Sequence, residues 1–367
     1  MTRGSPGAGR RTGASGDPAP TRPGALSEAL GRTLAISRPA PFVLWSTVMT
    51  IGVHLQEFHG LPVFDFPDAD AVAGLPDAAS VAWRVSAPTY ADPGDEAWEP
   101  RFRRFLETVD ASRVRALVVG GWDEPYDTSS AAVIASLMGA NNRLTGLRAV
   151  FLADMTSEDC EISWIVQSDV TPLLAAYPAL REFGVRGGTG LGFPAVRHTG
   201  LRRLVVEAGG LGAEVVRGIA ASDLPALEDL ELWLGTDEYG GDSTPGDLAP
   251  LLSGAAFPAL RRLALRNSVI QDQVAAAVAG APAVARLERL DLSMGVLTDE
   301  GARALLEGQP LTHLTHLDLS HHYVSAPLCE RLTAALAPHG VTVDLGDAQE
   351  PEDDGDGDVW RYVAVAE

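Results

Sequence analysis

A short pattern of leucines recurs along most of the chain. The phrase L-x-x-L-x-L, with other apolar residues at some places, begins at Val114, Leu147, Leu180, Leu201, Leu227, Leu260, Leu287 and Leu314, and a degenerate ninth phrase begins at Gly340. The intervals between successive starts are 33, 33, 21, 26, 33, 27, 27 and 26 residues. Such recurrence is typical of a repeat protein in which each repeat is one supersecondary unit.

Each phrase predicts a short strand. Alternate residues of a strand point to the same side, so the second and third apolar residues of every phrase enter one continuous core. A single repeat could not bury that face. Stacked repeats bury it against their neighbours, and stability accumulates along the stack.

The segments between the phrases predict helices. In the clearest one, Thr298 or Asp299 caps a helix that places Ala302, Leu305 and Leu306 on one face. Shorter or less regular helical patterns occupy 129–138, 214–219, 272–278 and 326–336. The predicted fold is therefore an α/β solenoid with parallel strands inside and helices outside. It must curve, because helices are wider than the strand spacing of about 4.8 Å.

Two of the repeats carry a family resemblance. The sequences LERLDLSMGVLTDEGARALLEG and LTHLDLSHHYVSAPLCERLTAAL resemble leucine-rich repeats of the ribonuclease-inhibitor type, and the resemblance covers about 114–346. In that family the ninth position of a repeat is usually Asn or Cys, which bonds neighbouring backbones. Here the position holds Trp, Met, Gly, Ser or His, so we expect looser turns.

A narrower resemblance lies at the two ends. MTIGVHLQEFHGLPVFDFPDAD, from Met49, and the closing RYVAVAE resemble an uncharacterised family of bacterial leucine-rich repeat proteins from high-GC genomes. Its members begin near the equivalent of Met49, and their genes lie beside radical-SAM-type enzymes. The resemblance implies an accessory or recognition role.

The segments outside the repeats predict a simple domain organisation. Residues 1–48 contain six arginines, two acids and much Pro, Gly, Ser and Ala, which indicates a disordered or mis-called upstream segment rather than a signal peptide. We expect 49–113 to form an N-terminal capping region and 114–346 to form about nine repeats. Residues 347–367 predict an acidic loop and a strand that closes the last sheet edge.

Charge and composition narrow the function. The 367 residues include 28 basic and 49 acidic side chains, a net charge of −21, and no lysine. A nucleic-acid-binding protein that works through a basic surface is therefore excluded, and binding to anionic membranes is disfavoured. The two cysteines form no pair motif, which indicates a reducing, cytoplasmic location without a disulfide framework. We expect no cofactor.

The predicted binding surface is the strand face turned away from the helices, which we call the inner face. Positions 3, 5 and 7 of each phrase project from it. The predicted site comprises Trp233, Arg266, Arg262, Arg289, Glu231, Asp291, Asp318 and His316. An exposed tryptophan beside arginine is typical of a binding hot spot, and Arg266 is placed to stack on the ring. The alternatives are charge pairing that only solubilises the face, and a Trp233 that is buried or covered by a loop.

Other residue groups suit metal binding or acid–base chemistry. Near the N-terminal cap these are His54, Glu57, His59, Asp65, Asp68 and Asp70, although no fixed ligand spacing is met. His313, His316, His321 and His322 surround Asp318 with spacing that is poor for one tetrahedral site. The run Asp354, Asp356, Asp358 begins like a calcium loop but lacks its glycine and its last acid.

These observations predict a non-catalytic scaffold that binds a protein or peptide on the inner face. The family resemblance adds an accessory role for enzymes encoded nearby. The alternative hypothesis is a metal-dependent or enzymatic accessory protein that uses His54, His59 and Asp65.

Overall fold

The predicted repeat architecture is present as one long sheet. The computed structural model describes residues 50–69, 74–90, 92, 94–353 and 359–367. Within this part of the chain, twelve strands lie side by side in chain order. They are β1 (Glu57–Phe58), β2 (Leu61–Asp65), β3 (Ala82–Val85), β4 (Ala116–Val119), β5 (Ala149–Leu152), β6 (Glu182–Arg186), β7 (Arg203–Glu207), β8 (Asp229–Gly235), β9 (Arg262–Ser268), β10 (Arg289–Asp291), β11 (His316–Asp318) and β12 (Thr342–Asp344).

The strands pair in phase. β1 and β2 form an antiparallel hairpin, and every pairing from β2 to β12 is parallel. Equivalent leucines therefore stand opposite each other, as Leu230 does to Leu263 and Leu290 to Leu317. Every one of the nine phrases contributes a strand, which confirms that prediction. The capping region extends the same sheet with β2 and β3.

Helices connect most of the strands. They are α1 (Trp98–Thr108), α2 (Ala131–Gly139), α3 (Thr171–Ala176), α4 (Ala213–Ala220), α5 (Pro245–Leu252), α6 (Gln271–Ala279), α7 (Asp299–Glu307) and α8 (Ala326–Leu336). The predicted cap is present on α7, where the Thr298 side chain accepts a hydrogen bond from the Glu300 amide at 3.2 Å. The shortest interval, between β6 and β7, has no helix in its described residues, because 187–202 leaves room only for turns.

The core lies between the sheet and the helices. Buried leucines of the phrases pack against buried residues of the helices in one continuous cluster. At its N-terminal end, α1 places Phe105 beside Trp83 and Phe66, with ring centroids 5.7 and 5.3 Å away. This aromatic layer covers the end of the core that the first strands would otherwise expose.

The turn after β11 is well anchored, although the ninth position of this repeat is a histidine, His322. His322 is buried, its Nδ1 accepts a hydrogen bond from the Val324 amide at 3.0 Å, and its Nε2 lies 3.1 Å from the carbonyl of Leu345, the residue directly after β12. The expectation of looser turns is wrong here, because the two ring nitrogens join neighbouring backbones as an asparagine would.

The predicted closing strand takes a different place. Residues 359–360 form β14 (Val359–Trp360), which pairs with β13 (Glu352–Asp353) in a separate two-stranded sheet and not with β12. The residues that follow, 361–367, run across the C-terminal ends of the repeat strands; we call them the tail. The prediction that this segment closes the sheet edge is therefore wrong. Residues 1–48, Asp70 and the run 354–358 lie outside the described residues.

Candidate functional site on the inner face

The inner face of β3 to β5 is apolar and covered. Apart from Arg84 on β3, its residues at positions 3 and 5 are apolar and buried, namely Ala82, Ala116, Val118, Ala149 and Phe151. Phe58, from β1, packs on them, and its ring centroid lies 6.0 Å from that of Phe151 at an angle of 83°. Leu55, Leu61 and Val63 complete this layer, so the first part of the inner face is a second core.

We call residues 55–61, which carry Leu55, Phe58 and Leu61, the covering segment. A buried ion pair between Arg84 and Asp154 holds it in place. The Leu55 amide donates to both carboxylate oxygens of Asp154, at 3.1 and 3.2 Å. Arg84 donates to the same carboxylate at 2.8 Å and to the Leu55 carbonyl at 3.2 Å. Asp154 is fully buried, and it is the charge-assisted hydrogen bonds that make this burial tolerable.

The residues of the alternative metal or acid–base hypothesis have separate partners in the same region. His54 Nδ1 lies 3.0 Å from the Asp154 carbonyl, and its Nε2 lies 3.4 Å from Asp159. His59 pairs with Glu182 at 3.0 Å, and Asp65 accepts from Arg84 at 2.6 Å. No group of three His, Cys, Asp or Glu among the described residues is arranged to hold a metal ion. The geometry therefore gives this hypothesis no support.

Trp233 is buried, with 0% of its surface exposed, so the prediction of an exposed hot-spot tryptophan is wrong. It packs with Ile162, Met294 and Val365, and its Nε1 donates to Glu231 at 2.9 Å. Arg266 does lie against the ring, at 5.7 Å from a centroid, as the sequence predicted. The alternative of a covered tryptophan is the one that the structure shows.

Arg266 is the centre of a buried charge network. Its guanidinium donates to Glu231 at 2.9 Å and lies 3.3 Å from Asp291, and its Nε also donates to Ser293 at 2.9 Å. Burial raises the pKa of Asp291 to about 6, although Arg266 opposes the shift, and Asp318 on the next strand adds to it. The opposite holds for Glu231, where the combined attraction of Arg266 and Arg203 outweighs burial and lowers the pKa.

The tail covers this network at the strand ends. The Asn267 side chain accepts from the Val365 amide at 3.0 Å and donates to its carbonyl at 2.5 Å. The Ala364 amide donates to the Met294 carbonyl at 2.8 Å, and the Ser163 hydroxyl donates to the carbonyl of Ala366. Each contact comes from a different repeat, so the tail binds across the stack.

Close approach of the tail requires glycine at one position. A Cβ at Gly209 would lie 2.0 Å from the Ala366 carbonyl oxygen, far inside van der Waals contact.

Asn267, Met294 and His321 occupy the eighth position of three successive repeats and share a positive φ of 54 to 67°. This left-handed conformation is tolerated by Asn and uncommon for the other two.

A row of position 3 side chains keeps its access to solvent. Arg203, Arg262, Arg289 and His316 are each partly exposed, with 38% of the Arg262 side chain and 21% of the His316 side chain accessible. Arg262 donates to the buried Asp229 at 3.0 Å, and Arg203 lies between Glu182 and Asp229. We call these four residues the open row.

The eight residues predicted as a binding face therefore separate into two groups. Arg262, Arg289 and His316 belong to the open row, at position 3, whereas Trp233, Arg266, Glu231, Asp291 and Asp318 are buried further along the same strands, at positions 5 and 7. Strand alternation placed all eight on the correct face, but alternation carries no information about which segments pack on that face.

The clustered histidines also have separate partners. His313 Nε2 lies 2.9 Å from the Val284 carbonyl, and His321 Nε2 lies 3.1 Å from the carbonyl of Tyr362 in the tail. His316 lies 4.0 Å from Asp318. With His322 bonded to backbone, they do not converge on one point.

Three important residues were missed by sequence reasoning. Arg84 and Asp154 anchor the covering segment, and Asn267 anchors the tail. Arg84 stands at position 5 of a strand in the capping region, where no leucine phrase marks the register. Asn267 is an Asn directly after a strand, a residue type that favours the left-handed conformation found there, and this is the feature that could have identified it.

The in-phase parallel strands, the outer helices and the stacked leucines define a leucine-rich repeat solenoid. The sequence model of the Leucine Rich repeat family matches residues 287–306 and 311–325. The chain thus has the leucine-rich repeat fold, and two of its repeats match the family's sequence model.

Similarity to a solved structure agrees with this assignment. A crystal structure of a protein from Bacteroides fragilis is 29% identical, with a TM-score of 0.65 over 70% of this chain and 71% of that one. None of the curated proteins matches the chain. None of the described helices has the length and apolar character needed to cross a membrane.

Proposed function

We propose that this protein is a non-catalytic scaffold whose open row binds a partner protein. Leucine-rich repeat domains generally bind proteins, and here the open row is the part of the predicted inner-face site that a partner can reach. The observation that carries the proposal is the contrast between partly exposed Arg262, Arg289 and His316 and the buried network further along the same strands.

The buried network gives the open row a fixed foundation. Arg262, in the open row, donates a hydrogen bond to Asp229. Arg266, which is buried further along the same strand, pairs with Glu231 and Asp291. Side chains held in this way lose less conformational entropy when a partner binds. The row itself presents three arginines and one histidine, and carboxylates near them, such as Asp229, are buried, so the partner that fits best presents acidic side chains. An accessory role beside an enzyme, in the cytoplasm, is part of this proposal.

The proposal is tested by charge reversal on each side of the sheet. The double variant Arg262→Glu/Arg289→Glu should lose a partner that the parent protein captures from a lysate of the native organism. The matched control is Arg303→Glu/Arg331→Glu, which makes the same change in net charge on the exposed surfaces of α7 and α8. Equal capture by all three proteins, or equal loss in both variants, would contradict binding at the open row.

A further inference from the structure

Two stacked tyrosines are exposed at the strand ends of the first repeats, away from the open row. Tyr90 follows β3 and Tyr126 follows β4, and their ring centroids lie 5.5 Å apart with an interplanar angle of 25°. They remain 63% and 38% exposed. A stacked pair of exposed aromatic rings offers a flat apolar surface that a partner can cover.

Hydrogen bonds hold the loop that carries Tyr126. Trp122 Nε1 donates to the Thr128 carbonyl at 2.9 Å and closes the loop, and the Asp127 amide donates to Glu124 at 2.9 Å. The Pro125 carbonyl accepts from the Val166 amide at 2.8 Å, which joins this loop to the next one along the edge. A ring presented by such a loop needs little ordering when it binds.

A cavity of about 380 Å³ opens beside Tyr90. Asp68, Asp159 and Arg101 are among the side chains that line it. Arg101 donates to Asp68 at 2.7 Å and to the Phe66 carbonyl at 2.9 Å, so its charge is already compensated. The side chains that line the cavity thus include two carboxylates, Asp68 and Asp159, and one guanidinium, and Asp159 itself lies 3.4 Å from the His54 ring.

The surroundings of the tyrosines are acidic as well. Glu124 and Asp127 flank Tyr126 and are exposed. Partial burial and the Glu124 charge raise the pKa of the Tyr126 phenol above its ordinary value. A cation gains from both features, since the faces of the aromatic rings and the carboxylates attract positive charge.

We propose that the Tyr90–Tyr126 pair and the adjoining cavity bind an arginine or lysine side chain within an extended basic segment of a partner protein. The ring faces supply a cation–π contact, and Asp159 and Glu124 supply the charge. This surface is independent of the open row, so either proposal can fail without the other.

The test uses a blocked, fluorescently labelled peptide, Gly-Arg-Gly-Arg-Gly, and measures its anisotropy with the full chain at low ionic strength. Tyr90→Ala/Tyr126→Ala should raise the dissociation constant about tenfold, whereas Tyr90→Phe/Tyr126→Phe should change it by less than about twofold, because phenylalanine keeps the ring face. The same peptide with citrulline in place of arginine should not bind measurably.

A second pair of variants separates a local site from general attraction to an acidic protein. Glu124→Gln/Asp127→Asn should weaken binding, whereas Glu307→Gln/Glu330→Gln, which removes two exposed carboxylates from the α7 and α8 region, should not. Equal weakening in both pairs would overturn the proposal. Equal binding of the citrulline peptide, unchanged binding by the alanine variant, or no binding of the arginine peptide to the parent protein would also overturn it.

Discussion

The two halves of the inner face belong to one sheet but are built on different strands and from different residues. From β3 to β5 the residues at positions 3 and 5 are apolar except for Arg84, and a segment of the chain packs on the apolar ones. From β8 to β11 the same positions hold Arg, Asp, Glu and His, with Ala264 as the one exception, and the side chains of the open row stay accessible. The position of a residue in the repeat therefore fixes which way its side chain points. The polarity of that side chain decides whether another part of the chain covers it.

The two halves differ because leaving apolar side chains in water and burying charged ones both cost free energy. Leaving Phe151 and Val118 in water would forfeit hydrophobic stabilisation, so the N-terminal segment that carries Phe58 stabilises the fold by covering them. Covering Arg262 and His316 would remove their hydration, which the neighbouring carboxylates replace only in part. The charged half therefore keeps a surface that a partner can approach.

The largest expected effect is in the apolar half. Phe151→Ala removes the ring that contacts Phe58 and leaves a cavity under the covering segment, so we expect a loss of about 3–5 kcal/mol in the free energy of unfolding. Urea unfolding followed by circular dichroism measures it. Phe151→Leu should cost markedly less, and a loss below about 1 kcal/mol for the alanine variant would show that this covering layer is not a core.

The next effect breaks the buried network of the charged half. Arg266→Leu leaves Asp291 without its cation and leaves Glu231 with only Arg203, 3.6 Å away, and we expect a loss of about 3 kcal/mol. The double variant Arg266→Leu/Glu231→Leu should recover part of that loss, because it removes one of the stranded charges. If the two substitutions are simply additive in a double-mutant cycle, Arg266 and Glu231 are not coupled as their 2.9 Å contact indicates.

The tail anchor should have a smaller effect. Asn267→Gly removes both side-chain hydrogen bonds to Val365 while tolerating the positive φ, so we expect a loss of about 1–3 kcal/mol and greater accessibility of Trp233 to acrylamide quenching. Asn267→Ala should lose roughly 1 kcal/mol more, since alanine is strained in that conformation. Unchanged stability and quenching in both variants would mean that the tail does not hold this surface closed.

The charged half should also respond to pH. The pKa of Asp291 is raised to about 6, so between about pH 4 and pH 6 the folded protein binds more protons than the unfolded chain, in which the ordinary value is about 3.9. Its contribution to the free energy of unfolding therefore decreases as the pH rises through this window. Asp291→Asn should flatten that slope. An unaltered slope, the same as for the exposed control Glu330→Gln, would contradict the assignment.

The smallest expected effect is in the open row. His316→Ala should change the free energy of unfolding by less than about 1 kcal/mol. The side chain is partly exposed, and its ring nitrogen is as far as 4.0 Å from the Asp318 carboxylate. Thermal or urea unfolding beside Phe151→Ala compares the two halves directly. A loss as large as that of Phe151→Ala would mean that the open row is part of the core.

Much of the fold was predictable because its determinants are local. The nine phrases place the strands from β4 to β12, and the helical patterns place α2, α4, α6, α7 and α8 within a few residues. The inner-face residues followed from strand alternation. The covering segment and the tail were not predictable in this way, because Phe58 meets Phe151 and Val365 meets Asn267 across about 90 to 100 residues of sequence.

The sequence by itself determined the repeat, the parallel in-phase strands and the direction of each side chain, because strand and helix periodicities depend on neighbouring residues. Only the tertiary structure decided that Trp233 lies under the tail, that Arg266 serves a buried network, and that Arg262, Arg289 and His316 remain within reach of a partner. Accessibility depends on long-range packing and on the balance between hydration and ion pairing, neither of which a local pattern encodes.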